Sequence, residues 1–381
     1  MFNVVILSIA SMLAYISKEM VYPILPLYLS ITLGFTPAFI GLIEGVTKSI
    51  SSIVKFYSGY FSDKKQRRKI FVIIGFLGDF IHKLLLFLST SWVWIIGAKT
   101  IEKLGKAVRT APRDAIMAES ITDNRKGKIF GIQRTFDKLG AVIGIVISFL
   151  LITMFTITDY KSIFLISTIP VGIGVILLFF LKQEGARGIV NIDFKKFNFS
   201  MKIFFIAVFI SSLGNSTKAF LLLKASDSGF NAGNVILLYL LANLTTCLLA
   251  YPIGRFSDKI SKKNIITMAY LVFGISYLGL AMSTNHMVVA VMFVLYGLFI
   301  ALISVGGKAF IIENTPSQMK ATALGINECL IGLASLPSSI IAGILWQVFS
   351  PSAAFYFSAF LALVALIVTR FIKRKEMTNH F

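Results

Sequence analysis

The sequence predicts an all-α membrane protein with twelve transmembrane helices in two pseudo-symmetric bundles of six. Three observations predict this fold class. The chain of 381 residues is 56% hydrophobic and only 14% charged, which is too apolar for a soluble domain of this size. A charged turn motif recurs at half the chain length, as expected of two homologous halves. Almost all lysines and arginines of the interhelical loops fall on one side, as in multi-pass membrane proteins.

Composition also limits the function classes. The formal net charge is +20, but the basic residues lie at the ends of apolar segments rather than along an exposed basic stripe, so nucleic-acid binding is not expected. Cys247 and Cys329 both lie within apolar segments, and the three histidines are scattered. We therefore expect no disulfide framework, no metal and no cofactor. The first apolar stretch is too long for a signal-peptide core and predicts a retained helix.

Apolar stretches of the roughly 20 residues needed to cross a bilayer follow one another along the chain. The fourth is crowded with charge and would escape a hydropathy scan, but its inclusion gives two equal halves. The predicted spans are 4–30, 37–61, 70–89, 92–114, 128–155, 161–181, 203–224, 232–254, 265–284, 288–312, 321–348 and 352–371. A polar stretch divides the chain into an N-terminal bundle (1–182), a linker (183–202) and a C-terminal bundle (203–381).

Loop charge predicts the orientation of these spans. The loops on one side carry basic runs such as residues 64–69, whereas the opposite loops contain only Lys161. Because basic loops are retained in the cytoplasm, both termini and the linker are predicted to be cytoplasmic, and the chain is predicted to lie in the plasma membrane.

The repeated turn carries a family resemblance. Gly59-Tyr-Phe-Ser-Asp63-Lys64 recurs as Gly254-Arg-Phe-Ser-Asp258-Lys259, and Gly131-Ile132 recurs as Gly325-Ile326 at nearly the same separation. With twelve spans in two halves, the chain resembles the major facilitator superfamily, whose signature turn is Gly-x-x-x-Asp-Arg/Lys-x-Gly-Arg/Lys-Arg/Lys. The second glycine of that motif is replaced by Gln66 and Ser261. Residues 105–114 are similar to the span-four sequence of a poorly characterised prokaryotic branch.

In the resembled family this turn latches the two halves together on the cytoplasmic side. The resemblance therefore implies a cytoplasmic gate, in which Arg113 at the end of span four is the expected partner of Asp63. The alternative is that residues 64–69 only anchor the topology. The predicted gate residues are Gly59, Asp63, Lys64, Arg67, Arg68, Arg113, Gly254, Asp258 and Lys259.

Charged residues within the spans share helix faces. On span four, Lys99, Glu102, Lys103, Lys106, Arg109 and Arg113 fall on one face, and Glu44, Lys48, Ser51 and Lys55 form a stripe on span two. An ionisable group in hydrocarbon costs roughly 2.5–3.5 kcal/mol, so such faces predict a polar seam. We expect an ion-pair network between spans four and five, whose alternative role is a structural clasp. Its predicted members are Glu102, Lys103, Lys106, Arg134, Asp137 and Lys138.

The seam predicts where a solute and protons would bind. Because it carries net positive charge, an anionic or zwitterionic organic solute is expected. For Tyr239 and Asn243, a buried helix–helix hydrogen bond is at least as good an interpretation as solute contact. The predicted solute-binding residues are Lys18, Tyr22, Lys48, Lys103, Asn215, Lys218 and Asn243. The predicted proton-coupling residues are Glu19, Glu44, Asp137 and Glu328.

The leading functional prediction is a monomeric secondary active transporter that works by alternating access and is coupled to protons. Its expected partners are a small-molecule solute, protons and the lipid bilayer. No nucleophile–base pair or metal-ligand set indicates an enzyme, and no phosphate-binding loop indicates an ATP-driven pump. Two alternatives remain open. One is proton-driven efflux of amphipathic, drug-like compounds, and the other is a non-transporting membrane sensor or scaffold with the same fold.

Overall fold

A computed structural model describes residues 2–65, 68–89, 91–119, 126–153, 160–182, 197–257, 260–315 and 320–372, and every regular element in these ranges is helical. A short π-helical turn, Tyr28–Thr32, follows α2. The helices are α1 (Phe2–Val21), α2 (Leu25–Leu27), α3 (Pro37–Lys65), α4 (Arg68–Phe87), α5 (Trp92–Glu119), α6 (Lys126–Thr153), α7 (Tyr160–Ile166), α8 (Thr168–Phe179), α9 (Phe199–Gly214), α10 (Lys218–Asp227), α11 (Ala232–Ser257), α12 (Lys262–Met282), α13 (His286–Glu313), α14 (Lys320–Val348) and α15 (Pro351–Arg370).

Ten helical segments of the described chain are long and apolar enough to cross a membrane. The predicted second and fourth spans, α3 and α5, are not among these ten, although they extend over 29 and 28 residues. Both carry several charged side chains along their length. The charged fourth span is thus a continuous helix, as predicted, and the total of twelve spans stays a prediction.

Three of the predicted spans are interrupted, the sixth between α7 and α8, and the breaks in the first and seventh lie near predicted solute-binding residues. The first span changes from α1 to α2 and then to the π-helical turn, around Pro23 and Pro26, which lack the backbone N–H that a continuous helix needs. The seventh span breaks between α9 and α10, where Asn215 has non-helical dihedral angles and its N–H donates to the Ser211 carbonyl. At this break the Ser216 N–H donates to the Gly214 carbonyl at 3.1 Å, and helical structure resumes at Lys218.

The chain separates into two compact units, and the first comprises Met1–Val190 with Leu221–Leu240. In this unit α1 packs along α6 and α8, while α4 packs along α5 and α8, and α3 packs along α5. The apolar core joins α1, α4, α5 and α8 through buried side chains that include Leu7, Phe76, Met117 and Val171. The core leaves the polar face of α5 directed toward α3 and α4.

The second unit comprises Asn191–Phe220 with Leu241–Phe381. Here α9 packs along α14 and α15, and α12 packs along α13 and α15. These neighbour relations repeat those of the first unit, with α9 in the place of α1 and α12 in the place of α4. The core is aromatic: the Phe273 ring lies 4.5 Å from that of Tyr277 and 4.7 Å from that of Phe299.

Glycines allow the closest helix contacts of the first unit. Gly105 of α5 faces Gly75 of α4, and a Cβ at position 105 would lie 2.8 Å from the Gly75 carbonyl oxygen. On α6, Gly140 and Gly144 lie against the backbone of α1. Small residues at this spacing let helix backbones approach closely in membranes. The α4–α5 contact brings the polar side chains of these two helices within reach of each other.

Candidate functional site

The first unit contains a buried cluster of charged side chains, centred on α5. Lys99 donates to Glu44 of α3 at 2.6 Å, and the Lys103 ammonium lies 3.3 Å from the other oxygen of the same carboxylate. Ser51 donates to the Lys103 carbonyl at 2.9 Å. Glu44 is therefore shared by two lysines one turn apart, which ties α3 to α5.

A second carboxylate, Glu102, lies one turn from Lys99 on the same face of α5. Its Oε2 atom lies 3.5 Å from the Lys99 ammonium and 3.9 Å from the Nε2 atom of His82 on α4. The Nδ1 atom of His82 is 2.9 Å from the Ala98 carbonyl oxygen. Glu102 is only 5% exposed, and its Oε2 atom has no hydrogen-bond partner within the described residues.

On α1, Lys18 and Glu19 extend the cluster. Their side chains form a salt bridge of 2.6 Å, and the second oxygen of Glu19 accepts a 2.8 Å hydrogen bond from the Tyr239 hydroxyl. Tyr239 belongs to the part of α11 that lies in the first unit, and its ring stacks on Tyr22 at 5.7 Å. The Lys18 ammonium lies 4.9 Å from the centre of the Tyr22 ring, a distance at which a cation is attracted by an aromatic face.

A small cavity of about 10 Å³ lies between these side chains, which is close to the space that one water molecule needs. Three lysines and one carboxylate border it, and apolar side chains close it on one side. The lining residues are Lys18, Val21, Tyr22, Leu25, His82, Lys83, Lys99 and Glu102. We call these residues, together with Glu19, Glu44 and Lys103, the cavity cluster.

Two arginines make further polar contacts farther along α5. Arg109 donates to Asp79 of α4 and lies 4.2 Å from the centre of the Phe76 ring. Arg113 pairs with Asp114 at 2.9 Å and donates to Ser11 of α1, which in turn donates to Asp137 of α6 at 2.6 Å. Ser11 thus links α5 to α6, and the arginines anchor α5 to three neighbouring helices.

The predicted solute-binding residues fall into both units. Lys18, Tyr22 and Lys103 belong to the cavity cluster, and Lys48 is half-buried on α3. In the second unit, Asn215 accepts a 3.3 Å hydrogen bond from Tyr277, while Lys218 and Asn243 are half-buried on α10 and α11. Their roles in solute binding stay predictions.

The four predicted proton-coupling acids differ in surroundings. Glu19 and Glu44 are buried within the cavity cluster, each paired with lysine. Asp137 is half-buried beside Ser11, and Glu328 is exposed on α14. Their part in proton coupling stays a prediction.

The predicted ion-pair network is divided by the packing. Glu102 and Lys103 face α3 and α4, because α5 packs along those helices and barely touches α6. Asp137 lies beside α1 instead, and Lys106 and Lys138 are exposed. The side chain of Arg134 lies outside the described part. Of the α5 bases, Arg113 reaches α6: with the Gln133 amide turned to satisfy both of its groups, its oxygen accepts from the Arg113 guanidinium at 2.9–3.0 Å.

Only part of the predicted cytoplasmic gate lies in the described structure. Arg68 is buried at the start of α4, and Gly254 lies in α11. Gly59, Asp63 and Lys64 lie in α3 with their side chains outside the described part, and Arg67, Asp258 and Lys259 lie outside the described residues. The described partners of Arg113 include Asp114, Ser11 and Gln133, and its pairing with Asp63 stays a prediction.

The polar residues of α4 are not among the site residues predicted from the sequence. Asp79, His82 and Lys83 lie within five residues of an otherwise apolar helix and are all buried, Lys83 to 1% exposure. Their i, i+3 and i+4 spacing places them on one face. Ionisable residues inside a membrane segment are a functional-site signal in themselves, and that signal would have found them.

The many long apolar helices are those of a multi-pass membrane protein. The family model of the Major Facilitator Superfamily matches residues 7–200 and 204–380. The chain therefore belongs to the major facilitator superfamily, and the predicted family is confirmed.

Individual relatives agree with this membership. The chain is 36% identical over 380 residues to an uncharacterised MFS-type transporter of Methanocaldococcus jannaschii, covering 97% of this chain and 94% of the relative. Among solved structures, a point mutant of the nucleoside transporter NupG is similar with a TM-score of 0.82 at 15% identity, covering 98% of this chain and 100% of that one. A POT family transporter in complex with a thioalcohol-conjugated peptide has a TM-score of 0.78 at 14% identity, covering 97% and 95% of the two chains. At such identities the structural likeness concerns the fold.

Proposed function

We propose that this protein is a secondary active transporter that moves a small anionic or zwitterionic organic solute by alternating access, coupled to protons. The observation that carries the proposal is the convergence of Lys18, Lys83 and Lys99 on one buried cavity of the first unit. Burial of so many ammonium groups costs several kcal/mol unless opposite charges surround them. Binding of an anionic group of the solute at this site would offset that cost.

The net charge of the cavity cluster supports a negatively charged group on the solute. Its four lysines (18, 83, 99 and 103) face three glutamates (19, 44 and 102), so the cluster has one excess positive charge when His82 is neutral. A carboxylate or phosphate of the solute would complete the balance. The Tyr22–Tyr239 stack beside Lys18 offers an apolar surface for the rest of the molecule.

The small size of the cavity supports transport by a change of conformation rather than through a continuously open pore. A volume of about 10 Å³ is far below the roughly 300 Å³ of an ordinary ligand pocket. The cluster would therefore have to widen to admit a solute, as alternating access requires.

Thermal-shift measurement on the purified protein tests the solute class, because a ligand that binds the folded state raises the unfolding temperature. The panel contains succinate, glutamate, dialanine, uridine and the lipophilic cation tetraphenylphosphonium. Stabilisation by succinate, glutamate or dialanine, followed by their uptake into proteoliposomes, is the expected result. The Lys83→Met variant should lose the stabilisation, whereas Lys202→Met, at an exposed position of α9, should retain it.

Two results would overturn this proposal. Preferential stabilisation by tetraphenylphosphonium would replace the solute class with the amphipathic compounds of an efflux transporter. No stabilisation by any probe, together with no uptake, would favour a non-transporting scaffold.

A further inference from the structure

The pair formed by His82 and Glu102 occupies the wall of the cavity and has an incomplete hydrogen-bond arrangement. The Ala98 carbonyl oxygen, 2.9 Å from the Nδ1 atom of His82, can only accept a hydrogen bond. The Nδ1 atom must therefore carry the hydrogen, and the Nε2 atom of a neutral ring is left with a lone pair.

That lone pair faces a carboxylate. The Nε2 atom lies 3.9 Å from the Oε2 atom of Glu102, and this oxygen has no hydrogen-bond donor among the described residues. A buried polar atom without a partner costs about 1–3 kcal/mol and calls for an explanation. Two acceptors that face each other become a donor and an acceptor when one proton is added between them.

We propose that Glu102 and the Nε2 atom of His82 bind one exchangeable proton between them, and that this pair is the proton-binding site of the transport cycle. The proton comes from water and is held on one of the two atoms, which then donates to the other. The Nε2 atom of His82 and the Oε2 atom of Glu102 are 3.9 Å apart. To reach hydrogen-bond length they must move closer by roughly 1 Å, which a small side-chain rotation provides. The inference rests on the proposed function only for its place in a transport cycle.

The charged groups around the pair determine what protonation does to the cavity. The α8 helix has no ionisable side chain, and Tyr160 of α7 packs on Tyr28 instead. The charged groups that face the pair are Lys99 and Lys103 on α5, Asp79 and Lys83 on α4, and Lys18 on α1 across the cavity. Glu44 of α3 acts on the pair through Lys99 and Lys103. On α7 only Tyr160 and Lys161 are ionisable.

Proton uptake raises the net charge of the pair by one, on whichever of the two atoms the proton resides, and the Glu102 carboxylate lies 3.5 Å from Lys99. The cavity cluster as a whole then carries one more positive charge to attract an anionic solute. Binding of the proton and of the solute therefore favour each other, which is the thermodynamic condition for moving both in the same direction.

Nuclear magnetic resonance of ¹⁵N-histidine tests the proton site without any solute. The chain has three histidines, so His82→Gln identifies the signal of His82. The Nε2 signal of the wild type should move between about pH 5 and about pH 8. In Glu102→Gln, the amide donates a permanent hydrogen bond to Nε2, so the signal should stay fixed. Glu313→Gln, at the exposed end of α13, is the matched control and should behave as the wild type.

An Nε2 signal that does not move in the wild type, or that moves equally in Glu102→Gln, would overturn the proton site. Uptake assays then separate this failure from a failure of the proposed function. In proteoliposomes, two rates are measured for glutamate or dialanine: uptake driven by a pH gradient, and counterflow in the absence of a pH gradient. The ratio of the first rate to the second should be greater than 1 for the wild type and for Glu313→Gln. It should fall to one for Glu102→Gln. If the His82 signal titrates but no uptake is seen, the proposed transport function is contradicted and the proton site stands. If the ratio stays above 1 in Glu102→Gln, the role of the pair in proton coupling is contradicted.

Discussion

Replacement of Lys99 by methionine should be among the most destabilising single changes in this protein. Lys99 is 3% exposed and contacts two carboxylates that are themselves buried, Glu44 at 2.6 Å and Glu102 at 3.5 Å. Methionine preserves the length of the side chain and removes its charge. The substitution therefore leaves the buried carboxylates with less compensation while it changes the packing little.

The magnitude follows from the geometry. At an effective dielectric constant of about 20, opposite charges at these separations attract by roughly 6 and 5 kcal/mol, respectively. Much of this attraction offsets the cost of removing the charges from water, and the measured cost of removing one partner of a buried pair is about 3–5 kcal/mol. Glu44 retains Lys103 at 3.3 Å, so we expect about 3 kcal/mol for Lys99→Met.

The free energy of unfolding can be measured by detergent titration in mixed micelles or by steric trapping in bicelles. The control Lys202→Met removes a lysine at an exposed position and should change stability by less than about 0.5 kcal/mol. In a double-mutant cycle, Glu44→Gln should recover part of the loss in the Lys99→Met background, because it removes a carboxylate that has lost a partner. A cost below about 1 kcal/mol for Lys99→Met, or no recovery in the double variant, would refute the buried-pair account.

Two other contacts give sharp tests of stability in the same assay. Gly105→Ala should destabilise the protein by about 1–3 kcal/mol, because the new methyl group meets the backbone of α4. The control Gly97→Ala, at a position with open space around it, should be neutral or stabilising. Equal effects of the two substitutions would contradict the close α4–α5 contact. Tyr239→Phe should lower the free energy of unfolding by about 1–3 kcal/mol, because it removes the buried hydrogen bond to Glu19. The control Tyr356→Phe, at an exposed position of α15, should cause no measurable loss. No loss of stability in Tyr239→Phe would mean that this hydrogen bond does not form in the membrane.

Hydrophobicity and the repeated turn were sufficient to predict the family and the helical fold. Period and charge also predicted that the polar side chains of α5 share one face, and the structure buries Lys99, Glu102 and Arg109 on it. What the sequence could not supply was the neighbour of that face. Helical spacing gives the direction of a side chain around its own axis, and it contains no information on which helix lies opposite.

The assignment of partners shows this limit. Asp137 was expected to meet the bases of span four directly, but Ser11 of α1 stands between it and Arg113. The glycines that bring α6 against α1 and α4 against α5 decide these neighbours, and their effect depends on the backbone of the other helix. The scattered histidines predict no metal site, but the sequence also places His82 between Asp79 and Lys83 in an apolar segment, which is a signal of a buried polar site in itself.

Accessibility of the cavity from the two sides of the membrane tests the central claim most directly. In a background with Cys247→Ser and Cys329→Ser, Val21→Cys places a thiol on the cavity wall without removing a charge. Ile74→Cys, at an exposed apolar position of α4, is the control that faces lipid. With a membrane-impermeant methanethiosulfonate applied to sealed vesicles of either orientation, the thiol at position 21 should react from both sides and the thiol at position 74 from neither. Reaction at position 21 from one side only, or from neither side, would contradict a charged cavity that opens alternately across the membrane.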